Sequence, residues 1–311
     1  MSIKTICLAV AGGMALCTPH PAFKLYAVRA KVLDEAGHPI QGASVTVARE
    51  PWLHTRILLR SILARIQIED NRNRVDVKYL TNEKGIVKYN IRSYFSPGGI
   101  VEKEGYYKGY LGATKEQVLL REIRNPIPLI YTRFREIKWP VSWDEPVGFD
   151  MLRYDWMPPH GNGEHEDLQF LATLKPDVEL EKNGGLLTLT FTGEHNGFIP
   201  IEDSQLLTES TFIFPYTAPQ DGYENTSLVV DKRNAVIDER KQNHFFRIRT
   251  ELDEQGNVVS ALYGRMENLE YWVTAIRDRK INFYYLLNPT PNDNNLEWDG
   301  KTNLLPPPPR R

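Results

Sequence analysis

The chain has little cysteine and no excess of either charge. Its two cysteines, Cys7 and Cys17, both lie in an apolar N-terminal stretch. If that stretch is removed, the rest of the chain has neither a disulfide nor a cysteine nucleophile. The 38 basic residues balance 40 acidic ones, for a formal net charge of -2. Because no overall positive field attracts polyanions, we expect no nucleic-acid partner.

Recognisable catalytic motifs are also lacking. The sequence has no Gly-x-Ser-x-Gly turn typical of serine hydrolases and no glycine-rich loop that would hold a phosphate. We therefore assign no catalytic residue and no cofactor. Paired carboxylates for glycoside hydrolysis come from distant parts of a fold. An exported hydrolase, either metal-dependent or carbohydrate-active and with its site in the C-terminal part of the chain, therefore stays open as an alternative.

The first residues have the order of a signal peptide. Lys4 supplies a positive charge, and the apolar run Ile6 to Cys17 is far shorter than the roughly 20 residues needed to span a bilayer. We expect residues 1–17 to be removed from an exported bacterial protein that is periplasmic or secreted. The alternative is a lipid anchor at Cys17, although Leu16 stands where lipoprotein signals have a small residue.

The remaining length and composition predict two globular domains. The full chain has 311 residues, of which 41% are hydrophobic and 25% charged, whereas single domains typically hold about 100 to 150 residues. Alternating apolar residues with turn residues between them predict strands from residue 25 onward. Gly85 follows such a strand and has the conformational freedom that a tight turn requires.

Three short motifs in this region carry a resemblance to a known family. They are Val32-x-Asp34-x-x-Gly37-x-Pro39-Ile40-x-Gly42-Ala43-x-Val45, Thr81-Asn82-x-x-Gly85-x-Val87 and Val101-x-Lys103-x-Gly105-Tyr106. Residues 25–125 thereby resemble the carboxypeptidase regulatory-like (transthyretin-like) domains. The resemblance implies a seven-stranded Greek-key β-sandwich that is not itself catalytic and is usually attached to other exported modules.

One segment departs from the family pattern. Between Pro51 and Asn71 apolar residues recur at helical spacing, with Leu58, Ile62 and Ile66 among them. This spacing predicts an inserted amphipathic helix that caps one end of the sandwich. The alternative is a basic helix face that lies on an anionic membrane, for which the three arginines of the segment are few.

Prolines suggest the domain boundary. Residues 126–163 contain repeated prolines and predict a linker, whereas strand-like runs return over residues 164–300 and predict a second β-rich domain. Asp253-Glu254-Gln255-Gly256-Asn257 predicts a hairpin turn there. Residues 301–311 contain four consecutive prolines followed by two arginines and predict a disordered tail. The expected fold class is therefore mainly β.

The densest polar cluster spans residues 160–167. His160, His165 and Glu166 are of the types that bind divalent metals. However, Gln169 stands where the zinc-protease helix signature has its second histidine, and nearby prolines and glycines forbid a helix. We therefore expect a solvated linker here and no metal site.

Three tryptophans of the expected linker are candidate contacts for a ligand or partner. Trp139, Trp143 and Trp156 could stack on sugar rings or anchor a protein, or else they wedge between the domains. We expect a non-enzymatic binding or assembly module of the bacterial envelope, with an unknown envelope protein or glycan as partner and membrane contact only through an anchor at Cys17.

Overall fold

The computed structural model describes residues 24–49, 75–93, 97–112, 115–132, 137–138, 140, 144–174, 185–231, 243–275 and 278–305. The expected signal peptide, the expected helix between residues 51 and 71, Trp139 and Trp143 lie outside these ranges. Apart from a short 3-10 helix at Asp203–Gln205, the regular elements of the described residues are strands, which confirms the mainly β class. Within them, no helix is long and apolar enough to cross a membrane.

The described chain forms two compact units. The first unit runs to Ile123 and also includes Leu207–Ile213, and the second holds the rest, from Arg124 onward. The strands of the first unit are β1 (Lys24–Asp34), β2 (Ser44–Arg49), β3 (Val75–Leu80), β4 (Ile86–Ser93), β5 (Gly99–Glu102), β6 (Gly109–Leu111) and β7 (Gln117–Leu120).

The first unit is a two-layer arrangement of these strands. One sheet has the order β4-β1-β7 and the other the order β3-β2-β5-β6. Alternate residues of each strand point inward, so Val32 of β1, Val45 of β2 and Val101 of β5 meet in one buried core. The register of each strand is fixed because a slip by one residue would expose this apolar set.

Glycines at positive φ make the turns of the first unit. Gly37, Gly42, Gly85 and Gly105 all adopt positive φ, as expected of residues at or beside turns. At Gly85, where φ is +68°, an added Cβ would also lie 2.5 Å from the carbonyl oxygen of Val32. Only glycine fits this position, because both the dihedral angle and the close backbone oppose a side chain.

The second unit contains the other strands. They are β8 (Ile127–Tyr131), β9 (Ile137–Lys138), β10 (Pro146–Asp150), β11 (Asp155–Trp156), β12 (Leu168–Leu174), β13 (Gly185–Phe191), β14 (Gly197–Pro200), β15 (Leu228–Asp231), β16 (His244–Leu252), β17 (Val258–Ala275), β18 (Asp278–Asn288) and β19 (Trp298–Asn303).

Two sheets share the core of this unit. A five-stranded sheet has the order β11-β10-β12-β13-β15, and a seven-stranded sheet has the order β14-β16-β17-β18-β8-β19, with β9 paired to β18. Phe149 and Phe170 from the first sheet and Phe246 and Tyr285 from the second belong to one buried cluster. The predicted turn at Asp253 to Asn257 joins β16 to β17, with Gly256 at φ +83°.

The structure corrects the linker and the tail. Residues 126–163, expected to be a linker, contain β8, β10 and β11 and bury Phe149 and Met151 in the core. The prolines permit this because these strands are short, and Pro146 stands at the first position of β10, where a strand tolerates it. Within the expected tail, residues 301–303 lie in β19 and Leu305 is buried.

Candidate functional site

The metal candidates are exposed to solvent. The side chains of His160, His165 and Glu166 are exposed. The backbone N–H of His160 donates a hydrogen bond to the carbonyl oxygen of Met157. Within the described ranges, no three His, Cys, Asp or Glu side chains are grouped in a way that could hold a metal ion.

The segment that carries these residues is organised by a buried carboxylate. Oδ2 of Asp150, at the end of β10, accepts hydrogen bonds from the backbone N–H groups of Glu164 at 3.0 Å and His165 at 3.1 Å. Oδ1 of Asp150 accepts from the N–H groups of Leu152 and Arg153, each at 3.0 Å. One side chain therefore fixes two loops, so residues 160–167 have a defined conformation.

Arg249 links this carboxylate to a second one. Its Nη2 lies 3.0 Å from Asp150 Oδ1, while its Nε and Nη2 donate to the two carboxylate oxygens of Asp167 at 2.8 and 2.9 Å. Asp167 Oδ2 also accepts the N–H of Met151 at 2.9 Å. Arg249 has a φ of +53°, a conformation that non-glycine residues rarely adopt, at an irregularity in the pairing of β16 with β17.

These bonds shift the pKa values of Asp150 and Arg249. Burial by itself raises the pKa of Asp150, but the backbone donors and the charge of Arg249 outweigh it, so the pKa lies below its ordinary value. Burial likewise lowers the pKa of Arg249, but Asp167 and Asp150 outweigh it and raise it. Asp150 is ionised with both oxygens already accepting hydrogen bonds, which suits it to positioning the loops and not to general acid or base catalysis.

Trp156 is a core residue and not an exposed contact. Only 7% of its surface is exposed, and its ring makes edge-on contacts with Phe149 at 5.2 Å and Phe170 at 5.4 Å between centroids. The expectation that it contacts a ligand is therefore corrected. The reason is that β11 pairs with β10 and directs the indole into the core of the second unit.

A buried histidine lies in the second unit. His244 on β16 is 3% exposed, and its ring packs edge-on against Phe198 at 5.1 Å. Its Nδ1 is buried and has no hydrogen-bond partner among the described residues. Burial lowers the pKa of His244 to about 4, so the ring is neutral at physiological pH.

Large apolar side chains are exposed on one sheet face of the first unit. Ile100 of β5 and Tyr110 of β6 lie directly opposite each other, with 42% and 52% of their surfaces exposed. Leu80, at the end of β3 in the same sheet, is 66% exposed. We call this surface the outer face of the four-stranded sheet, and it is defined by Leu80, Ile100 and Tyr110.

Polar groups border this face. Glu102 of β5 pairs with Lys108 at 2.7 Å, and this bond lowers the pKa of the Glu102 carboxyl. Ser44 of β2 stands between Leu80 and Glu102 in the register, and its buried hydroxyl has no partner among the described residues. Thr46 is the β2 register partner of Ile100, so Ser44 and Thr46 separate Leu80 from the pair Ile100 and Tyr110. The apolar part of this face is therefore that pair with polar groups beside it, a composition that protein-binding surfaces share.

Sequence reasoning missed this face. The signal that could have revealed it is the alternation of the strands, since Val101 points into the core and its neighbour Ile100 must point outward. An apolar residue at an outward position is common when it stands singly. Only the pairing of β5 with β6 shows that Ile100 and Tyr110 lie side by side.

Comparisons with known proteins identify no family. No family model matches the chain, and no curated protein matches it. Among solved structures, a Bacteroides uniformis protein with a proposed carbohydrate-binding role is similar at 11% identity and a TM-score of 0.17, over 83% of this chain and 97% of that chain. A likeness this weak carries no argument about fold or function.

Proposed function

We propose that the protein is a non-enzymatic, exported binding or assembly module of the bacterial envelope. The observation that carries the proposal is the exposed apolar pair Ile100 and Tyr110 on the outer face of the four-stranded sheet. Exposed aromatic and aliphatic side chains that adjoin on a rigid sheet are favoured as anchors for a partner. Export is supported by the charge and apolar pattern of residues 1–17.

The first unit is proposed to be a carboxypeptidase regulatory-like domain. Its three motifs support this, and so does the division of its described strands into sheets of three and four. Such a domain would present a partner-binding surface without catalysing a reaction. The partner would be an envelope protein or an envelope glycan.

The alternative function is that of an exported hydrolase with its site in the second unit. The buried acidic pair of that unit, Asp150 and Asp167, is bound to Arg249 and to backbone N–H groups. No specific observation in the described residues favours the hydrolase, so the binding module is the better-supported function.

The test is site-specific photo-crosslinking in the native envelope. A photoreactive phenylalanine analogue in place of Tyr110 should form a defined adduct, and the additional substitution Ile100→Ser should abolish it. The matched control carries the analogue at Val259, an exposed aliphatic residue of the second unit, and should not form this adduct.

Two results would contradict the proposal. The first is an adduct of equal yield from both positions, which would show non-specific contact. The second is a clearly lower melting temperature for the variant Ile100→Ser/Tyr110→Ser than for Val259→Ser, which would show that the chain itself covers this face.

A further inference from the structure

The other sheet of the first unit places two cations directly opposite each other. Arg29 of β1 is the register partner of Lys88 of β4, and Lys31 follows two positions along β1. All three side chains are exposed. We call this surface, on the outside of the three-stranded sheet, the basic face.

The core fixes the outward direction of these side chains. Their chain neighbours Ala30 and Val32 on β1, and Val87 and Tyr89 on β4, are buried in the core of the unit. Because successive residues of a strand point to opposite sides, Arg29, Lys31 and Lys88 must project together on the solvent side. Turning these three side chains inward would turn the buried residues Ala30, Val32, Val87 and Tyr89 out to solvent.

The structure places no neutralising group of the described residues on the basic face. No carboxylate among the described residues forms an ion pair with Arg29, Lys31 or Lys88. Like charges directly opposite in an antiparallel pair destabilise a sheet. Since the chain as a whole has a net charge of -2, the concentration of positive charge here does not follow from its composition.

The neighbours of these cations include two amides, while the register partner of Lys31 on β4 is the aliphatic Ile86. Asn90 on β4 and Gln117 on β7 are exposed and belong to the same face, because Gln117 pairs with Lys31 and Asn90 lies two positions from Lys88. Arg29 and Lys31 are separated by about 7 Å along the strand, and Arg29 and Lys88 by about 5 Å across it. The face thus combines three cations with two amides that donate and accept hydrogen bonds.

From this placement we infer that the basic face binds an acidic polysaccharide whose carboxylates pair with Arg29, Lys31 and Lys88. An extended sugar chain suits an exposed sheet face, and its hydroxyls suit the amides of Asn90 and Gln117. A membrane is the less favoured partner, because the large exposed apolar residue of β1, Leu25, lies at the far end of the strand and three cations attract a lipid surface only weakly. The inference concerns a different face from that of the proposed function and does not depend on it.

The experiment measures binding of the exported chain to polygalacturonate, a polysaccharide of carboxylated sugars. We expect saturable binding that weakens with added salt, and none to neutral dextran. The variant Arg29→Gln/Lys88→Gln should bind at least about tenfold more weakly, since hydrogen bonds to charged groups contribute strongly. The variant Lys78→Gln/Lys301→Gln removes two exposed cations elsewhere and should bind as the parent does.

A charge reversal separates binding from folding. Lys88→Glu places a carboxylate opposite Arg29 and changes the charge of the face as much as the double variant does, so it should weaken binding to a similar extent while the melting temperature stays equal or rises. The inference is overturned if polygalacturonate does not bind, if both double variants lose affinity equally, or if the protein binds phosphatidylglycerol vesicles in preference to the polysaccharide. It is also overturned if Lys88→Glu retains full affinity.

Discussion

The guanidinium of Arg249 holds the carboxylate of Asp167 through two hydrogen bonds, from Nε to Oδ1 at 2.8 Å and from Nη2 to Oδ2 at 2.9 Å. The two residues are 82 positions apart in the chain. Asp167 is buried and Arg249 is partly buried. This pair, together with Asp150, positions the loops of the second unit.

Removing the charge of Asp167 should destabilise the protein strongly. We expect Asp167→Asn to lower the free energy of unfolding by about 2 kcal/mol, because it removes one of the two carboxylates that pair with the partly buried guanidinium of Arg249 and leaves only Asp150. The adjacent and exposed Glu166 provides the control, and Glu166→Gln should change stability by less than about 0.5 kcal/mol. Urea unfolding of both variants measures the difference, and equal effects would contradict the structural role of the pair.

Substitutions at two glycines of the first unit distinguish the effect of backbone strain from that of steric clash. At Gly37 an added Cβ has open space and φ is +85°, so Gly37→Ala should destabilise by about 1 kcal/mol through the dihedral angle alone. Gly85→Ala should destabilise more than Gly37→Ala, because the added Cβ also meets the Val32 carbonyl oxygen. Gly85→Val should destabilise more than Gly85→Ala, because a β-branched residue is more strongly disfavoured at positive φ. Thermal unfolding of the three variants tests this order. Equal losses at both glycines would rule out the close approach at Gly85.

The buried imidazole of His244 should make the protein sensitive to mild acid. Its folded-state pKa of about 4 lies below the unfolded value of about 6.5, so the unfolded state binds the proton first. Stability is therefore complete above pH 6.5 and falls as the pH drops towards 4, with a loss of about 2 kcal/mol at pH 5 from this residue.

The measurement compares unfolding at pH 7.5 and pH 5 for the parent and for His244→Leu. We expect the pH-dependent loss to shrink by about 2 kcal/mol in the variant, whatever its stability at pH 7.5, because leucine does not titrate. A parent and a variant with the same pH dependence would contradict the lowered pKa, because the imidazole would then take up its proton equally in the folded and unfolded states.

The residues 160–167 are predicted to bind no metal. Elemental analysis of protein purified without chelator should find no stoichiometric zinc. The substitution pair His160→Ala/His165→Ala should leave the melting temperature unchanged, since both side chains are exposed and the loop is held through its backbone by Asp150. Zinc that is present in the parent and absent from the variant would favour the hydrolase instead.

Local sequence patterns sufficed for the strands and turns of the first unit. Alternation along β1 and β4 and the glycines at positions 37, 42, 85 and 105 depend on neighbouring residues only, and these expectations agree with the structure. Prolines were misleading at residues 126–163, because short strands such as β8 and β10 are stabilised by the sheets that they join and not by their own sequence.

The sequence by itself determined the mainly β class and the inward or outward direction of each side chain in a strand, because both follow from the two-residue period of the β backbone. Only the tertiary structure decided which strands are neighbours. Strand pairing placed Arg29 opposite Lys88 and Ile100 opposite Tyr110, and chain folding brought Arg249 to Asp167. These relationships depend on contacts between residues far apart in the chain, which local periodicity does not encode.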